Sequence, residues 1–449
     1  ANRGVKTANF AEVNSSFNGE MPSILVELGF HDSAYDTDFL LEPRFRQDAA
    51  RAMAKGIVDY FDQRDGQSSV CLPEPPQNLR TSVLNQGVQI TWEPGESGGT
   101  LGGSASNYVL YSSRDGKSWD NGTTIAGMST VVPFSNLVQY IRVAGQNEGG
   151  ISFPSETLAV FVPNGNDVPI LVVSAFDRLQ RSSLFWTDAG NSVGDVKRMN
   201  LRRINSFDTI VEYAPHLETL GYPFVSTSNE RLTDFSSAEF RTVIWIAGEE
   251  STTDESFSDE EQTWIASHLS SGGTLLASGA EILWDLDVQG SASDQAFVDV
   301  AFGSRLSDDD ARTYRASGVG VLAGLNMNFS FDDGAQYNVE YPDVLDSSAT
   351  VIAEYDSGIG TGIAGVMTDY SVLFGFPIEL IVDDAVQYQV LERILEEWLG
   401  DYVVEEPSTE PSAEPSTEPS TESSTEPSSE EEVIIEEKRR GCSTSQNDL

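Results

Sequence analysis

Basic residues, histidines and cysteines are all scarce in this 449-residue chain. Lysine and arginine number 26 against 71 aspartates and glutamates, which leaves a formal net charge of −45. Such an excess of negative charge argues against a nucleic-acid partner and against adsorption to anionic lipid. The two cysteines, Cys71 and Cys442, lie far apart and build neither a disulfide framework nor a CxxC metal site. An acidic, secreted or cell-envelope protein fits this composition better.

Long apolar runs are missing as well. No uninterrupted run reaches the roughly 18 residues that a membrane span requires. The first residues, ANRGVKTANF, contain no apolar stretch of a signal peptide and do not begin with Met. We therefore interpret the chain as a fragment whose true N-terminus lies upstream.

Composition and periodicity divide the chain into five segments with different predicted folds. The first segment is the end of an α/β unit, with a strand at SILVELGF and a helix that begins at Pro43. A polar linker, an all-β sandwich and a doubly wound α/β unit with a parallel sheet follow. The last segment is an acidic Pro/Ser/Thr/Glu tail with nothing to bury, which predicts disorder. The segments are residues 1–65, 66–73, 74–163, 167–400 and 401–449.

Residues 74–163 contain short alternating runs, such as VQITWEP and NYVLYSS, separated by turn residues. The segment resembles a fibronectin type III module over its whole length. Trp92 matches the core tryptophan of the family's second strand, and Tyr108 points inward from the third strand. Tyr140 matches the tyrosine corner. The resemblance implies a spacer or a weak glycan-binding unit.

A carboxylate interrupts the apolar run ILVELGF at Glu27. If the strand belongs to a one-sided sheet, Glu27 faces solvent and has no further role. If it lies at the C-terminal end of a parallel strand, it occupies the place where open α/β sheets build their sites. A partly desolvated Glu there serves as general base or acid. Periodicity alone favours the surface interpretation.

The motifs RGVK, ANF, MP.ILVELGF, D..FLL and GI.DYF follow one another in residues 1–65. In this order they resemble the last part of the zinc-dependent N-acetylmuramoyl-L-alanine amidases of bacterial cell walls. The resemblance implies that Glu27 is the catalytic carboxylate, taking a proton from a zinc-activated water and passing it to the leaving amine. The family's zinc ligands precede RGVK, and His31, His216 and His268 do not replace them. We expect no metal ligands here and an inactive fragment of an active enzyme.

Residues 167–400 resemble, more loosely, the class I glutamine amidotransferase fold. The turn LLASGAEI contains Ser278 and Glu281 where active members carry a nucleophilic Cys. The run FPIE places Phe376 where they carry a His. Both departures remove the nucleophile–base pair that this chemistry requires. We predict a non-catalytic binding or scaffolding domain.

Several charged residues of this unit are candidate ligand contacts. Glu281 and Asp285 lie near a predicted strand end and are the better candidates if a ligand pocket exists. Arg202 and Arg203 form either an anion contact or a helix-start surface. The acidic run GEESTTDESFSDEE lacks EF-hand spacing, and we interpret it as a solvated loop and helix start.

The C-terminal residues leave two interpretations open. Gly441, Cys442 and Ser443 resemble the start of the C-terminal sorting signals of myxobacterium-like Gram-negative bacteria, behind an acidic stalk. The alternative is a free cysteine in a disordered tail.

Taken together, these patterns predict a secreted or envelope-located hydrolase. It would cleave the amide between N-acetylmuramic acid and L-alanine in peptidoglycan, with Zn²⁺ as cofactor. Residues 74–400 would provide contacts to an envelope glycan or protein, and we expect a monomer. The alternative is a non-enzymatic, secreted envelope-binding or adhesin-like protein in which the amidase-like segment is a remnant.

Overall fold

The computed structural model describes residues 4–99, 101–163, 165, 167–190, 192–200, 203–356, 362–400 and 402. The predicted disordered tail, including Cys442, lies outside them apart from Tyr402. The α-helices are α1 (Ser15–Asn18), α2 (Ala34–Leu41), α3 (Pro43–Asp65), α4 (Ile210–Leu220), α5 (Asp259–Ser270), α6 (Ala292–Ala301) and α7 (Asp384–Leu399). Short 3-10 helices occupy Ala11–Val13, Arg181–Ser183, Asn229–Asp234, Gly320–Leu322, Phe331–Asp333 and Ile378–Leu380, and a π-helical turn occupies Trp284–Gln289. None of the described helices is long and apolar enough to cross a membrane.

The strands fall into two groups along the chain. The first group is β1 (Gln77–Leu84), β2 (Gly87–Glu93), β3 (Asn107–Ser113), β4 (Thr123–Ile125), β5 (Ser129–Val132), β6 (Ser135–Asn147), β7 (Gly150–Pro154) and β8 (Leu158–Val162). The second is β9 (Ile170–Ser174), β10 (Phe185–Asp188), β11 (Asp195–Arg198), β12 (Phe224–Ser228), β13 (Thr242–Gly248), β14 (Thr274–Gly279), β15 (Ser304–Asp308), β16 (Arg315–Gly318), β17 (Asn326–Asn328), β18 (Val344–Ser347), β19 (Thr350–Tyr355), β20 (Ile363–Met367) and β21 (Ser371–Phe374).

The N-terminal segment, described from residue 4 to residue 65, contains helices but no β-strand. The prediction of a strand at SILVELGF, and with it an α/β fold for this segment, is therefore wrong for the described residues. The backbone is irregular there, and its apolar side chains are between 44% and 73% exposed at Ile24, Leu25, Val26 and Leu28. A strand requires a hydrogen-bonded neighbour and a covered face, and no described strand pairs with this run.

Helix α3 forms as predicted, because its ends carry strong local signals. Pro43 occupies the first helical turn, the Glu42 side chain accepts a hydrogen bond from the backbone N–H of Arg44, and Gly66 ends the helix in the left-handed conformation. The predicted apolar face is nevertheless largely uncovered, since only Pro43 and Ala49 are buried. Local signals therefore make this helix, and burial contributes little to it.

Residues 77–162 form the predicted antiparallel sandwich. One sheet has the order β1–β2–β5, and the other has the order β4–β3–β6–β8, with β7 also paired to β6. Trp92 and Tyr108 are both buried, with their rings 5.4 Å apart in an edge-to-face arrangement. Tyr140 is buried too, but it belongs to the apolar cluster that includes Ile210 and Val211, so its tyrosine-corner role stays a prediction.

Five parallel strands form the centre of the second α/β unit, in the order β12–β9–β13–β14–β21. Every residue of β9 and β13 is buried, as the apolar runs predicted. Residues of α4 and α7 join the apolar cluster on one face of the sheet, and residues of α5 and α6 join the cluster on the other. The predicted capping box of α5 is present, with Ser258 and Glu261 bonding each other's backbone N–H groups.

Beyond β21 the sheet continues with antiparallel strands that the sequence patterns did not indicate. β21 pairs with β20, which pairs with β18 and β19, and these extend to β15, β16 and β17. The predicted strand SVLFGFPIELI is too long, because β21 ends at Phe374 and a 3-10 helix occupies Ile378–Leu380. The separate hairpin β10–β11 was also not predicted.

Strand β12 connects the sandwich to the parallel sheet. It pairs with β9 in parallel, and with β1 and β8 in antiparallel fashion. At its centre, the Ser226 hydroxyl donates to the carbonyl oxygen of Ala159 and accepts from the N–H of the same residue, at 2.6 and 2.9 Å. The Thr81 hydroxyl likewise donates to the carbonyl oxygen of Ser226 at 2.6 Å and accepts its N–H at 2.9 Å. Hydrogen bonds therefore cross the predicted boundary between residues 163 and 167.

Candidate functional site

Glu27 lies in the irregular run before α2, and its side chain is exposed. The chain after it is fixed by a turn in which the backbone N–H of Phe30 donates to Asp36 Oδ2 at 3.0 Å. Ser33 caps α2 by accepting the N–H of Asp36 at 3.3 Å. This turn fixes the backbone that follows Glu27.

The three histidines lie in separate places and have different surroundings. His31 is exposed in the turn before α2. His216 is buried in α4, with Nε2 at 3.3 Å from Gln387 Oε1, and His268 in α5 uses both ring nitrogens, at 2.8 Å from the Ser237 oxygen and 3.0 Å from the Thr274 oxygen. The described residues beside Glu27 thus do not fit the Zn²⁺ that the amidase resemblance implies, and we derive no step through a metal from this chain.

Glu281 and Asp285 follow β14 and have different partners. Glu281 has a φ of 63°, in the left-handed region that non-glycine residues rarely adopt, and its Oε2 lies 3.7 Å from Arg178 Nη1. Asp285 accepts the backbone N–H of Ser256 at 2.7 Å. Burial raises the pKa of both carboxyls. Asp285 therefore holds the loop at Ser256. Glu281 lies at a strained turn between strand and helix, beside the guanidinium of Arg178.

The turn at Ser278 has no nucleophile–base pair among its described contacts. The Ser278 hydroxyl lies 3.0 Å from the Tyr213 hydroxyl, which donates to Glu379 Oε2 at 2.9 Å. Tyr337 donates to the other carboxylate oxygen at 2.8 Å, and burial raises the pKa of Glu379 to about 7. Phe376 is fully buried and adds nothing polar. This network joins α4, β14 and the residues around Glu379 on one face of the sheet.

Arg203 has its guanidinium between two aromatic rings. Its Cζ lies 3.6 Å from the ring centre of Phe331 and 4.6 Å from that of Phe185. Asp332 also approaches it at 3.8 Å. Because these contacts occupy the Arg203 guanidinium, they disfavour the anion contact that the sequence left open. Arg202 lies outside the described residues.

The sequence patterns missed a group of carboxylates at the carboxyl ends of two neighbouring strands. Asp177 follows β9, and Glu250 and Asp254 follow β13; an oxygen of each lies within 4.8 Å of the other two. Glu250 and Asp254 belong to the acidic run GEESTTDESFSDEE, whose composition by itself indicates a solvated loop. Sequence alone did not show that β9 and β13 are neighbours, and so Asp177 was not connected with that run.

Comparison with curated proteins gives two short matches, and no family model matches the chain. A 61-residue stretch is 43% identical to the protein YqiI of Bacillus subtilis and covers 14% of this chain and 28% of that protein. A 60-residue stretch is 43% identical to a protein of Bacillus anthracis that is named as an uncharacterized cell wall amidase, and it covers 13% of this chain and 11% of that protein. The chain thus spans less than a third of the length of these relatives.

Comparison with solved structures gives fibronectin type III domains. The sixth such domain of the human fibronectin type III domain containing protein 3 is 22% identical, with a TM-score of 0.17, covering 22% of this chain and 89% of that one. The FN5 domain of Drosophila Lar is 17% identical, with a TM-score of 0.17, covering 20% and 98%. Similarity at these TM-scores carries no argument about function. The amidotransferase-like assignment of residues 167–400 is not supported by the comparisons, whereas a partial similarity to a cell wall amidase is.

Proposed function

We propose that this chain is part of a bacterial cell-wall hydrolase that cleaves the amide between N-acetylmuramic acid and L-alanine in peptidoglycan. The observation that carries the proposal is the 43% identity over 60 residues to a cell wall amidase. That length is close to the length of residues 1–65, where the motifs around Glu27 lie. We assign the match to this segment.

Glu27 is the residue of this chain to which we assign the proton transfer. Glu27 is exposed, as a residue that acts on a polymeric substrate must be. A carboxylate in this role accepts a proton from the attacking water and delivers it to the nitrogen of the leaving L-alanine. The Zn²⁺ implied by the resemblance is a proposal for the parent protein, and its ligands are not among the described residues.

The remaining segments have supporting roles in this proposal. The sandwich at 74–163 acts as a spacer or weak glycan-binding unit, and the second α/β unit acts as a non-catalytic, amidotransferase-like binding domain. The buried Phe376 and the tyrosine partner of Ser278 support the absence of acyl-transfer chemistry there. We place the protein as a monomer outside the cytoplasm or in the envelope, with peptidoglycan as its partner.

The test is peptidoglycan hydrolysis by the parent protein and by its Glu27→Gln variant. Release of stem peptides with a free L-alanine amine is measured on purified sacculi. Loss of general acid–base catalysis should lower the rate at least about 100-fold. Glu20→Gln, which changes another exposed acid of the same segment, is the matched control and should keep full activity. Circular dichroism confirms that both variants fold.

The second candidate function is non-enzymatic binding to the envelope, with the amidase-like segment as a remnant. The exposed apolar side chains of the N-terminal segment favour it, because large uncovered apolar areas mark interaction surfaces. Cosedimentation with sacculi separates the two functions. A parent protein that sediments with sacculi but releases no stem peptide, with or without Glu27, supports binding and contradicts the hydrolase.

A further inference from the structure

The cluster of Asp177, Glu250 and Asp254 lies at the point where the strand order of the parallel sheet reverses. If the five parallel strands are numbered 1 to 5 along the chain, their order across the sheet is 2-1-3-4-5. Strands β9 and β13 are therefore neighbours, and the chain leaves them in opposite directions. Helix α4, which follows β9, contributes to the apolar cluster on one face, and α5, which follows β13, contributes to the other. Loops that part in this way leave a crevice at the carboxyl ends, which is where open α/β sheets bind ligands.

Glu250 is the central residue of the group, and it is only 1% exposed. Its Oε1 accepts the backbone N–H groups of Asp177 at 2.7 Å and Arg178 at 2.5 Å. Its Oε2 is buried and has no hydrogen-bond partner among the described residues. A buried carboxylate oxygen without a hydrogen-bond partner is destabilising, because nothing replaces the water it loses. A bound cation would supply the missing interaction.

The backbone around these carboxylates is held in place on both sides. The Asn205 side chain donates to the carbonyl oxygen of Phe176 at 2.5 Å and so holds the loop that carries Asp177. Gly248 has a φ of 55°, and a Cβ there would lie 2.3 Å from the Phe176 ring. The two loops therefore approach each other closely, with glycine at the contact, and the carboxylates are positioned before any ligand arrives.

Acidic side chains are concentrated here. The nearest cations point elsewhere or lie at the rim: Arg178 donates to the Glu249 carbonyl oxygen at 2.7 Å, and the exposed Arg44 approaches Asp254 at 3.7 Å. Such crowding of like charges favours binding of a counter-ion.

We propose that Asp177, Glu250 and Asp254 bind a divalent cation, Ca²⁺, at the switch point between β9 and β13. The donors are all carboxylate oxygens, which select hard cations over Zn²⁺ or Cu²⁺. Three protein carboxylates favour Ca²⁺ over Mg²⁺, because Mg²⁺ usually keeps several waters and is held by only one or two carboxylates. The oxygens of the three carboxylates lie within 4.8 Å of one another, close enough for one ion to bind all three. Water completes the coordination.

The test is calorimetric titration of the full chain with CaCl₂ after removal of cations by chelation. The wild-type chain should bind Ca²⁺ with a Kd below about 1 mM. Glu250→Gln should weaken binding about tenfold or more, since it removes one ligand charge. It should still fold, because the Gln side-chain oxygen can accept the N–H groups of Asp177 and Arg178. Asp177→Asn should show the same loss.

Glu249→Gln is the matched control. Glu249 is the neighbouring, half-buried acid, but its Oε1 accepts the backbone N–H of Glu340 at 2.5 Å, and it is not one of the three grouped carboxylates. The variant should bind Ca²⁺ as the wild type does. The acidic residues at 401–449 are common to every variant, so weak binding by them cancels in the comparison.

Three results would overturn the proposal. One is a wild-type chain with no titratable Ca²⁺ heat and no increase in melting temperature with Ca²⁺. Another is equal Ca²⁺ affinity in the wild type, Glu250→Gln and Asp177→Asn. The third is tighter binding of MgCl₂ or ZnCl₂ than of CaCl₂, which would contradict the assignment of the ion.

Discussion

Two apolar runs of similar composition differ in burial: one is exposed and the other lies in the core. ILVELGF, in the N-terminal segment, has an irregular backbone, and its Ile24 is 73% exposed. TVIWIAG forms β13, and its Ile244 is 1% exposed. The difference lies in the neighbours: β13 has β9 on one edge and β14 on the other, whereas no described strand pairs with residues 24–30. Apolar residues permit a buried strand, but hydrogen-bonding partners decide whether it forms.

The first prediction compares matched truncations in the two runs. Ile244→Ala should lower the free energy of unfolding by about 2–5 kcal/mol, because it opens a cavity in a packed core. Ile24→Ala should change it by less than about 0.5 kcal/mol. Urea unfolding followed by circular dichroism measures both. Equal losses would mean that residues 24–30 are buried in solution and that the comparison fails.

The second prediction concerns the pH response of the buried unit. The pKa of Glu379 is raised by burial to about 7, compared with about 4.3 in an unfolded chain. The folded state keeps this proton where the unfolded state loses it, so the contribution of Glu379 to stability is largest at low pH and falls between about pH 4 and 7. The slope from this group is at most about 1.4 kcal/mol per pH unit.

Glu379→Gln should flatten this part of the pH profile, because an amide does not titrate. Urea unfolding of both chains at half-unit intervals from pH 4.5 to 8 gives the two profiles. Parallel profiles would show that Glu379 is ionised in the folded state.

The third prediction tests the connection between the sandwich and the α/β unit. Ser226→Ala removes a hydroxyl that bonds both the N–H and the carbonyl oxygen of Ala159. The loss of buried hydrogen bonds should cost about 1–3 kcal/mol. Ser348→Ala, at an exposed position, is the control and should change little. If Ser226→Ala unfolds at the same urea concentration as its control, the connection contributes no stability.

The smallest effect is expected at helix caps. Ser258 caps α5, which is packed on the sheet, and Ser258→Ala should cost about 1 kcal/mol in global stability. Ser33 caps α2, which has no buried residue, and Ser33→Ala should leave the main unfolding transition unchanged. A shift of the main transition by Ser33→Ala would show that α2 folds together with the core.

Much of the local structure could be predicted from particular residues. Pro43 marked the start of α3, Ser258 and Glu261 marked that of α5, and the apolar runs of β9 and β13 marked buried strands. The strand at SILVELGF failed, because its own sequence carries no information about whether a partner strand is present. The antiparallel strands beyond β21 were missed because their short runs, such as that of β17, show little periodicity.

The proposed cation site could be predicted from the sequence even less. Asp177 and Glu250 are separated by 73 residues, and the hydrogen bond between the Asp177 N–H and Glu250 joins them only because β9 and β13 are adjacent. Neither residue belongs to a motif of fixed spacing, so no pattern in the sequence could have paired them.

By itself, the sequence determined the acidic charge, the segment order, the helix ends, the buried strand runs of the sandwich and the parallel sheet, and the position of Glu27. These depend on residues that are close along the chain, where backbone preferences and side-chain periodicity act. The tertiary structure alone decided which apolar runs were covered, that β12 bonds to both units, and that Asp177, Glu250 and Asp254 meet. Those outcomes depend on strand adjacency, which arises from the packing of the whole sheet and is recorded in no single stretch of sequence.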